Sequence, residues 1–160
     1  MAKLDECLAA AIDVAVLDSN PRFFYHLQTR GLASLIKAVS TELVHDYRSA
    51  GENLLDRCVL DYFIQNEVPH GLRVLIEARV ISPITLYRLV STHWSKHGDA
   101  DSNDFLSHNN LDIPADTVSI FFGAMATVPD LDALEWFRET FGPIIDGLVL
   151  AYCTYLEEPP

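Results

Sequence analysis

The stretch SPITLYRLVSTHWSKHGDADSND, residues 82–104, carries the clearest structural pattern in the chain. Ser82 is a favourable N-cap, and Pro83 suits the first helical turn because its missing N–H costs no hydrogen bond there. Gly98 is a typical helix stop. Between these ends, apolar residues recur at helical spacing on one side of the segment. The pattern predicts an amphipathic helix that leads into a short acidic loop.

Segments of the same kind fill the rest of the chain. Helices are predicted at about 3–17, 22–30, 32–49, 52–65, 68–80, 115–128, 129–141 and 144–156, with breaks at Gly51, at 109–114 (NNLDIP) and at Gly142-Pro143. Segment 115–128 is rich in β-branched and aromatic residues, but a lone strand would have no partner, so a helix is favoured. Segment 144–156 is apolar on nearly every side and is predicted to be a central helix packed all round. We therefore predict an all-α protein, a single-domain bundle of roughly eight to ten short helices over residues 1–160.

The chain has the length and composition of one globular domain. Its 160 residues suffice for a hydrophobic core. No run reaches the ~18 to 20 consecutive apolar residues of a membrane span, and the N-terminus has carboxylates where a secretory signal would have a basic start. The cysteines (Cys7, Cys58 and Cys153) form no close pair, which argues against a disulfide framework and against a cysteine zinc site. A cytoplasmic protein with reduced thiols is expected.

The negative charge is concentrated in the last two-fifths of the chain. Residues 1–96 hold ten Lys/Arg and eleven Asp/Glu, a net charge of −1. Residues 97–160 hold only Arg138 and twelve acids, a net charge of −11. Such a field repels nucleic acid and anionic membranes and attracts basic proteins. A surface that served solubility alone would spread its charge along the chain, so the asymmetry favours a binding role.

A metal site is the main alternative. His93 and His97 are four residues apart, so a helix places both imidazoles on one face, a geometry that zinc and iron sites use. Asp101 follows in the acidic loop and completes a candidate set for a divalent metal. An HExxH motif would need a glutamate after the first histidine, where this chain has tryptophan. The loop also matches three positions of an EF-hand but lacks its turn glycine and its bidentate glutamate, so a solvated acidic loop is favoured over a calcium site.

These observations favour a protein-interaction function over catalysis. No glycine-rich phosphate loop, catalytic constellation or cofactor motif is present, so no catalytic residue and no cofactor is assigned. We expect a basic protein partner and no nucleic acid or membrane, with the protein acting as an inhibitor, an immunity-type protein, an adaptor or a mimic of nucleic-acid charge. The alternatives are a metal-dependent enzyme centred on His93 and His97, and a carrier of a small apolar ligand. Trp136 and Phe137 are the candidate aromatic anchors of the predicted binding surface. The surface also holds nine acids: Asp99, Asp101, Asp104, Asp112, Asp116, Asp130, Asp132, Glu135 and Glu139.

Overall fold

The computed structural model describes residues 2–19, 41–97, 112–127 and 132–157, and for residues 2, 41–44, 94–97 and 112–115 it describes the backbone alone. These ranges contain no strand, which confirms the all-α prediction. The helix expected at 22–30, the first part of the helix expected at 32–49, and the acidic loop after residue 97 lie outside them. The described residues form six helices: α1 (Ala2–Asp18), α2 (Thr41–Gln65), α3 (His70–Val80), α4 (Pro83–His97), α5 (Asp112–Met125) and α6 (Ala133–Glu157).

Helix α4 begins where the sequence predicts. The Ser82 hydroxyl oxygen accepts the backbone N–H of Thr85 at 3.2 Å, which is the bond expected of an N-cap. The Thr85 hydroxyl in turn donates to the carbonyl of Arg79 at 2.6 Å. Because Arg79 belongs to the last turn of α3, this bond fixes the start of α4 against the end of α3.

Helix α2 runs through Gly51, where the sequence predicted a break. The reason is a close crossing of α2 and α5. A Cβ built on Gly51 would overlap the carbonyl group of Ser119, and one built on Gly123 would overlap the carbonyl oxygen of Tyr47. On each helix a glycine, which has no side chain, therefore allows the backbone of the other helix to approach closely. Gly51 is an interior contact residue, and the predicted helices 32–49 and 52–65 are one continuous helix over the described residues.

Helix α6 likewise runs through the predicted break at Gly142-Pro143. Proline inside a helix removes one backbone hydrogen bond, but the residues around Pro143 pack in the core: Phe141, Gly142, Ile144 and Ile145 are all buried. The helix is capped by Asp132, whose Oδ1 accepts the backbone N–H groups of Leu134 and Glu135 at 3.0 and 3.1 Å. Two predicted breaks are therefore absent, which corrects the expectation of eight to ten short helices. Although α2 and α6 have 25 residues each, no helix in the described ranges is apolar enough over its length to cross a membrane.

The predicted helix at 115–128 is confirmed as α5, but it begins earlier, at Asp112. Pro114, which the sequence suggested as part of a break, is the third residue of this helix. The first four N–H groups of a helix have no intrahelical partner, so a proline there costs no hydrogen bond.

Aromatic residues of α2, α5 and α6 form the centre of the core. Phe63, Phe121, Phe137 and Phe141 are fully buried, and the rings of Phe137 and Phe141 stack with centroids 4.9 Å apart. Helix α1 packs against α4 and α6 at the edge of this core. Two ion pairs hold α1 to the α3–α4 unit: Asp5 with Arg79 at 2.5 Å, and Asp13 with Arg88 at 3.0 Å. Helix α6 is not packed all round as predicted, since Leu150, Cys153 and Leu156 are exposed.

Candidate functional site

The first histidine of the candidate metal pair is used in the packing of α1 against α4. His93 is only 4% exposed, and its Nε2 lies 2.8 Å from the carbonyl oxygen of Val16 and 3.1 Å from the Ser19 hydroxyl. The Ser19 hydroxyl itself donates to Val16 O at 2.8 Å. A carbonyl oxygen can only accept, so Nε2 carries a proton and donates to it. His93 thus satisfies a carbonyl at the C-terminal end of α1.

A protonated Nε2 cannot bind a metal, so a metal ion could be held by this imidazole only through Nδ1. His97 is in the last turn of α4, where only the backbone is described, and Asp101 lies outside the described residues. Within the described ranges, no group of three or more His, Cys, Asp and Glu side chains is arranged to hold a metal ion. The structure therefore places His93 in the core, hydrogen-bonded to α1, and leaves binding by the full set of His93, His97 and Asp101 a prediction.

The predicted acidic residues fall into three groups. Asp99, Asp101, Asp104 and Asp130 lie outside the described residues, and Asp112 is the first residue of α5, described by its backbone alone. Asp116 forms an ion pair with Arg48 of α2, with 3.1 Å between Oδ2 and Nη1. This carboxylate contributes to the α2–α5 contact and is already neutralised. The remaining acids, Asp132, Glu135 and Glu139, belong to the start of α6.

The acids of α6 share one side of the helix. At about 100° per residue, the spacings of 4, 7 and 11 residues place the four helical carboxylates within an arc of about 40°. Three of them are exposed and Glu139 is half-buried. The exposed Asp132 cap extends the arrangement by one turn. We call this set the acidic face of α6: Asp132, Glu135, Glu139, Asp146 and Glu157.

Two members of this face, Asp146 and Glu157, are absent from the set predicted from sequence. The signal was present, because residues 135, 139, 146 and 157 follow helical spacing. The predicted break at Gly142-Pro143 divided them between two helices whose relative orientation was unknown. Once α6 is continuous, the periodicity alone aligns them.

The two candidate aromatic anchors are core residues. Trp136 is 6% exposed, and its indole stacks on Phe121 with centroids 5.7 Å apart. Phe137 is fully buried and contacts Tyr62 edge-on at 6.4 Å. An aromatic anchor has to be exposed to reach a partner, and neither residue is. Leu150, which is 68% exposed, lies beside the acidic face of α6 and was not predicted as a contact residue.

Two described residues, Cys58 and Tyr62, have raised pKa values. Burial raises the pKa of the Cys58 thiol to about 11, and the carboxylates of Asp61 and Asp132 add to the shift. Burial also raises the pKa of Tyr62 to about 12, with a further contribution from the hydrogen bond that its hydroxyl donates to Asp146 at 3.0 Å. A thiol whose pKa is raised by burial is a poor nucleophile at neutral pH.

These shifts predict loss of stability in alkali. Cys58 and Tyr62 have folded pKa values above their ordinary values of 9.0 and 10.0, so the unfolded chain releases their protons first. Stability should be unaffected by these groups below about pH 9 and should fall as the pH rises through about 9 to 12. Urea unfolding at pH 8 and pH 11 measures the loss. The variants Cys58→Ala and Tyr62→Phe should each lose less stability over this interval than the parent protein, whereas the exposed-thiol control Cys153→Ala should lose as much. Equal losses in all four proteins would contradict the assignment.

No protein-family model, no curated protein and no solved structure matches the chain.

Proposed function

We propose that the protein binds a basic partner protein through the acidic face of α6, as an inhibitor, immunity-type protein or adaptor. The observation that carries the proposal is the alignment of five acids, four of them exposed, along one side of a 25-residue helix and its cap. Arg138 is the only basic residue from 132 to 157, and it points about 60° away from this face by helical geometry. Its guanidinium donates to the side chain of Gln65.

Such a face acts mainly on the rate of association. Carboxylates of one sign along a rigid helix add their fields at the position of an approaching basic protein, which speeds encounter and excludes acidic partners. Exposed charges contribute little to affinity once the complex has formed, because water screens them. The proposal therefore predicts a strong dependence on salt as the screening length falls from ~10 Å at 0.1 M to ~3 Å at 1 M.

The test reverses two charges whose carboxylates form no hydrogen bond or ion pair with the described residues. Glu135 and Glu157 are exposed and lie near opposite ends of α6. A lysine is unfavourable near the N-terminus of a helix and favourable near its C-terminus, so the effects of the double variant Glu135→Lys/Glu157→Lys on helix stability should largely cancel. The matched control is Asp46→Lys/Asp56→Lys, which reverses two exposed acids of α2 and changes the net charge equally.

Tagged protein would capture partners from a lysate of the source cells, and binding kinetics would then be measured with each purified partner. We expect basic partners whose association slows about tenfold with the α6 variant, while the α2 control retains most of the rate. Equal rates for the two variants, or association that is as fast in 1 M salt as in 0.1 M salt, would contradict the proposal. The metal-dependent enzyme and the apolar-ligand carrier stay predictions, since no feature of the described residues favours either.

A further inference from the structure

Helices α1 and α6 meet through small residues. A Cβ built on Gly147 of α6 would lie 3.5 Å from the Cβ of Ala15 and 3.7 Å from the carbonyl oxygen of Ala11, both in α1. With glycine opposite alanine, no bulky side chain separates the two backbones along this contact. The side chains that flank the contact on its solvent side are therefore brought close to one another.

Those flanking side chains are apolar and exposed. Val14 directly precedes Ala15 on α1 and is 61% exposed. On α6, Leu150 lies three residues after Gly147 and is 68% exposed, and Pro143, four residues before Gly147, is exposed as well. We call Val14, Pro143 and Leu150 the α1–α6 apolar patch.

Acids border this patch on both helices. Asp146 and Glu157 lie beside Leu150 on α6, within about 40° of it by helical geometry. On α1, the exposed Asp18 lies about one turn after Val14. An apolar strip between acidic margins is complementary to a helix that has apolar residues on one side and lysines or arginines beside them. A second copy of this chain would bring acid against acid, and anionic lipid would be repelled by the same charges.

From this arrangement we infer that the α1–α6 apolar patch binds a basic amphipathic helix of the partner protein. The inference rests on the proposed function and adds the anchors that Trp136 and Phe137 do not provide. Apolar residues at positions i, i+3, i+4 and i+7 of the partner helix contact Val14, Pro143 and Leu150, and its basic residues meet the carboxylates of Asp146 and Glu157. Steering comes from the acidic face of α6, and most of the affinity comes from desolvation of this patch.

The test uses a defined probe, a synthetic 18-residue peptide of leucine and lysine with the leucines at helical spacing. A scrambled peptide of the same composition, which cannot place its leucines on one side, separates apolar docking from charge attraction. Binding of both labelled peptides is measured by fluorescence anisotropy. We expect the patterned peptide to bind the parent protein about tenfold more tightly than the scrambled one, since each buried leucine contributes a substantial part of the affinity.

Variants identify where the peptide binds. Val14→Ser/Leu150→Ser should weaken binding of the patterned peptide about tenfold or more. The matched control Leu60→Ser/Ile64→Ser removes two exposed apolar side chains from α2 and should bind like the parent protein. Equal binding of the two peptides, or no effect of the Val14/Leu150 variant, would overturn the inference. If the inference fails in this way but Glu135→Lys/Glu157→Lys still slows association with the captured partner, the proposed function stands without it. A parent protein that dimerises in sedimentation velocity, and becomes monomeric in the Val14/Leu150 variant, would assign the patch to self-association and also overturn it.

Discussion

Replacing Gly51 with alanine is expected to lower the free energy of unfolding by about 3 kcal/mol or more. The added Cβ would overlap the carbonyl group of Ser119 and come too close to the backbone nitrogen of Gly123. These are backbone atoms, so no rotation of a side chain relieves the overlap, and α2 and α5 have to separate. Val118 and Phe122, which directly neighbour Ser119 and Gly123 in the chain, are fully buried, and separation of the two helices would disrupt their packing.

The matched control is Gly147→Ala, because Gly147 also lies in a helix interior. A Cβ there would make ordinary van der Waals contact with Ala15. The same gain in helix propensity applies at both positions, about 1 kcal/mol. We therefore expect Gly147→Ala to be neutral or stabilising by up to that amount, so the difference between the two variants isolates the steric effect.

Urea unfolding followed by circular dichroism at 222 nm measures both variants. Gly123→Ala should resemble Gly51→Ala, since its Cβ would overlap the backbone of Tyr47. The double variant Gly51→Ala/Gly123→Ala should cost less than the sum of the two single changes, because helices that one Cβ has already separated lose little more to the second. A Gly51→Ala protein as stable as Gly147→Ala would show that α2 and α5 do not cross at these residues.

The crossing also explains which parts of the fold could be read from sequence. The helix caps could be predicted, because the Ser82 cap bonds to a residue only three positions away and is therefore visible as a local sequence pattern. Gly51 was misassigned because glycine has two uses in helices, as a stop and as a point of close approach, and only the partner helix distinguishes them. Its partner, Gly123, is 72 residues away in the chain. A single sequence carries no local signal of that pairing.

Pro143 was misassigned for a related reason. Local rules give a proline a cost of about 3 kcal/mol inside a helix, which favours a break. In α6 the flanking residues are buried on both sides of the proline, and each fully buried Phe or Ile contributes about 1.5 to 3 kcal/mol. Tertiary packing therefore outweighs the lost backbone bond. The consequence reaches the candidate site, because the acidic face of α6 exists only when the helix is continuous.

The charge asymmetry is visible in the sequence, but the sequence does not show which acids pair with a cation and which stay available to a partner. Asp116 pairs with Arg48, a residue 68 positions away, whereas Glu135 and Glu157 stay exposed on α6. Helical spacing can place two acids on one side of a segment, and only the fold decides which cations that side meets. The sequence is equally ambiguous for the aromatic residues, since a tryptophan among acids is compatible with an exposed anchor and with a core residue.

Replacing Trp136 with alanine should therefore destabilise the folded protein strongly rather than only remove a contact to a partner. Truncating a buried tryptophan costs about 3 to 5 kcal/mol, a large part of the 5 to 15 kcal/mol by which a typical domain is stable. The loss includes the stacking of the indole on Phe121. Trp136→Phe retains an aromatic ring at this position and should lose clearly less stability, which provides a graded control.

The measurement is made in a Trp94→Phe background, where Trp136 is the only tryptophan. Burial predicts emission at short wavelength and weak quenching by acrylamide in the folded protein, both lost in urea. An exposed anchor predicts the opposite, with Trp136→Ala folding as well as its parent and failing only in partner binding. If Trp136→Ala keeps its unfolding free energy within about 1 kcal/mol, the core assignment is wrong. If it loses 3 kcal/mol or more, the hydrophobic part of a partner contact has to come from side chains that are open to solvent, and on α6 these are Leu150 and its exposed neighbours beside the acidic face.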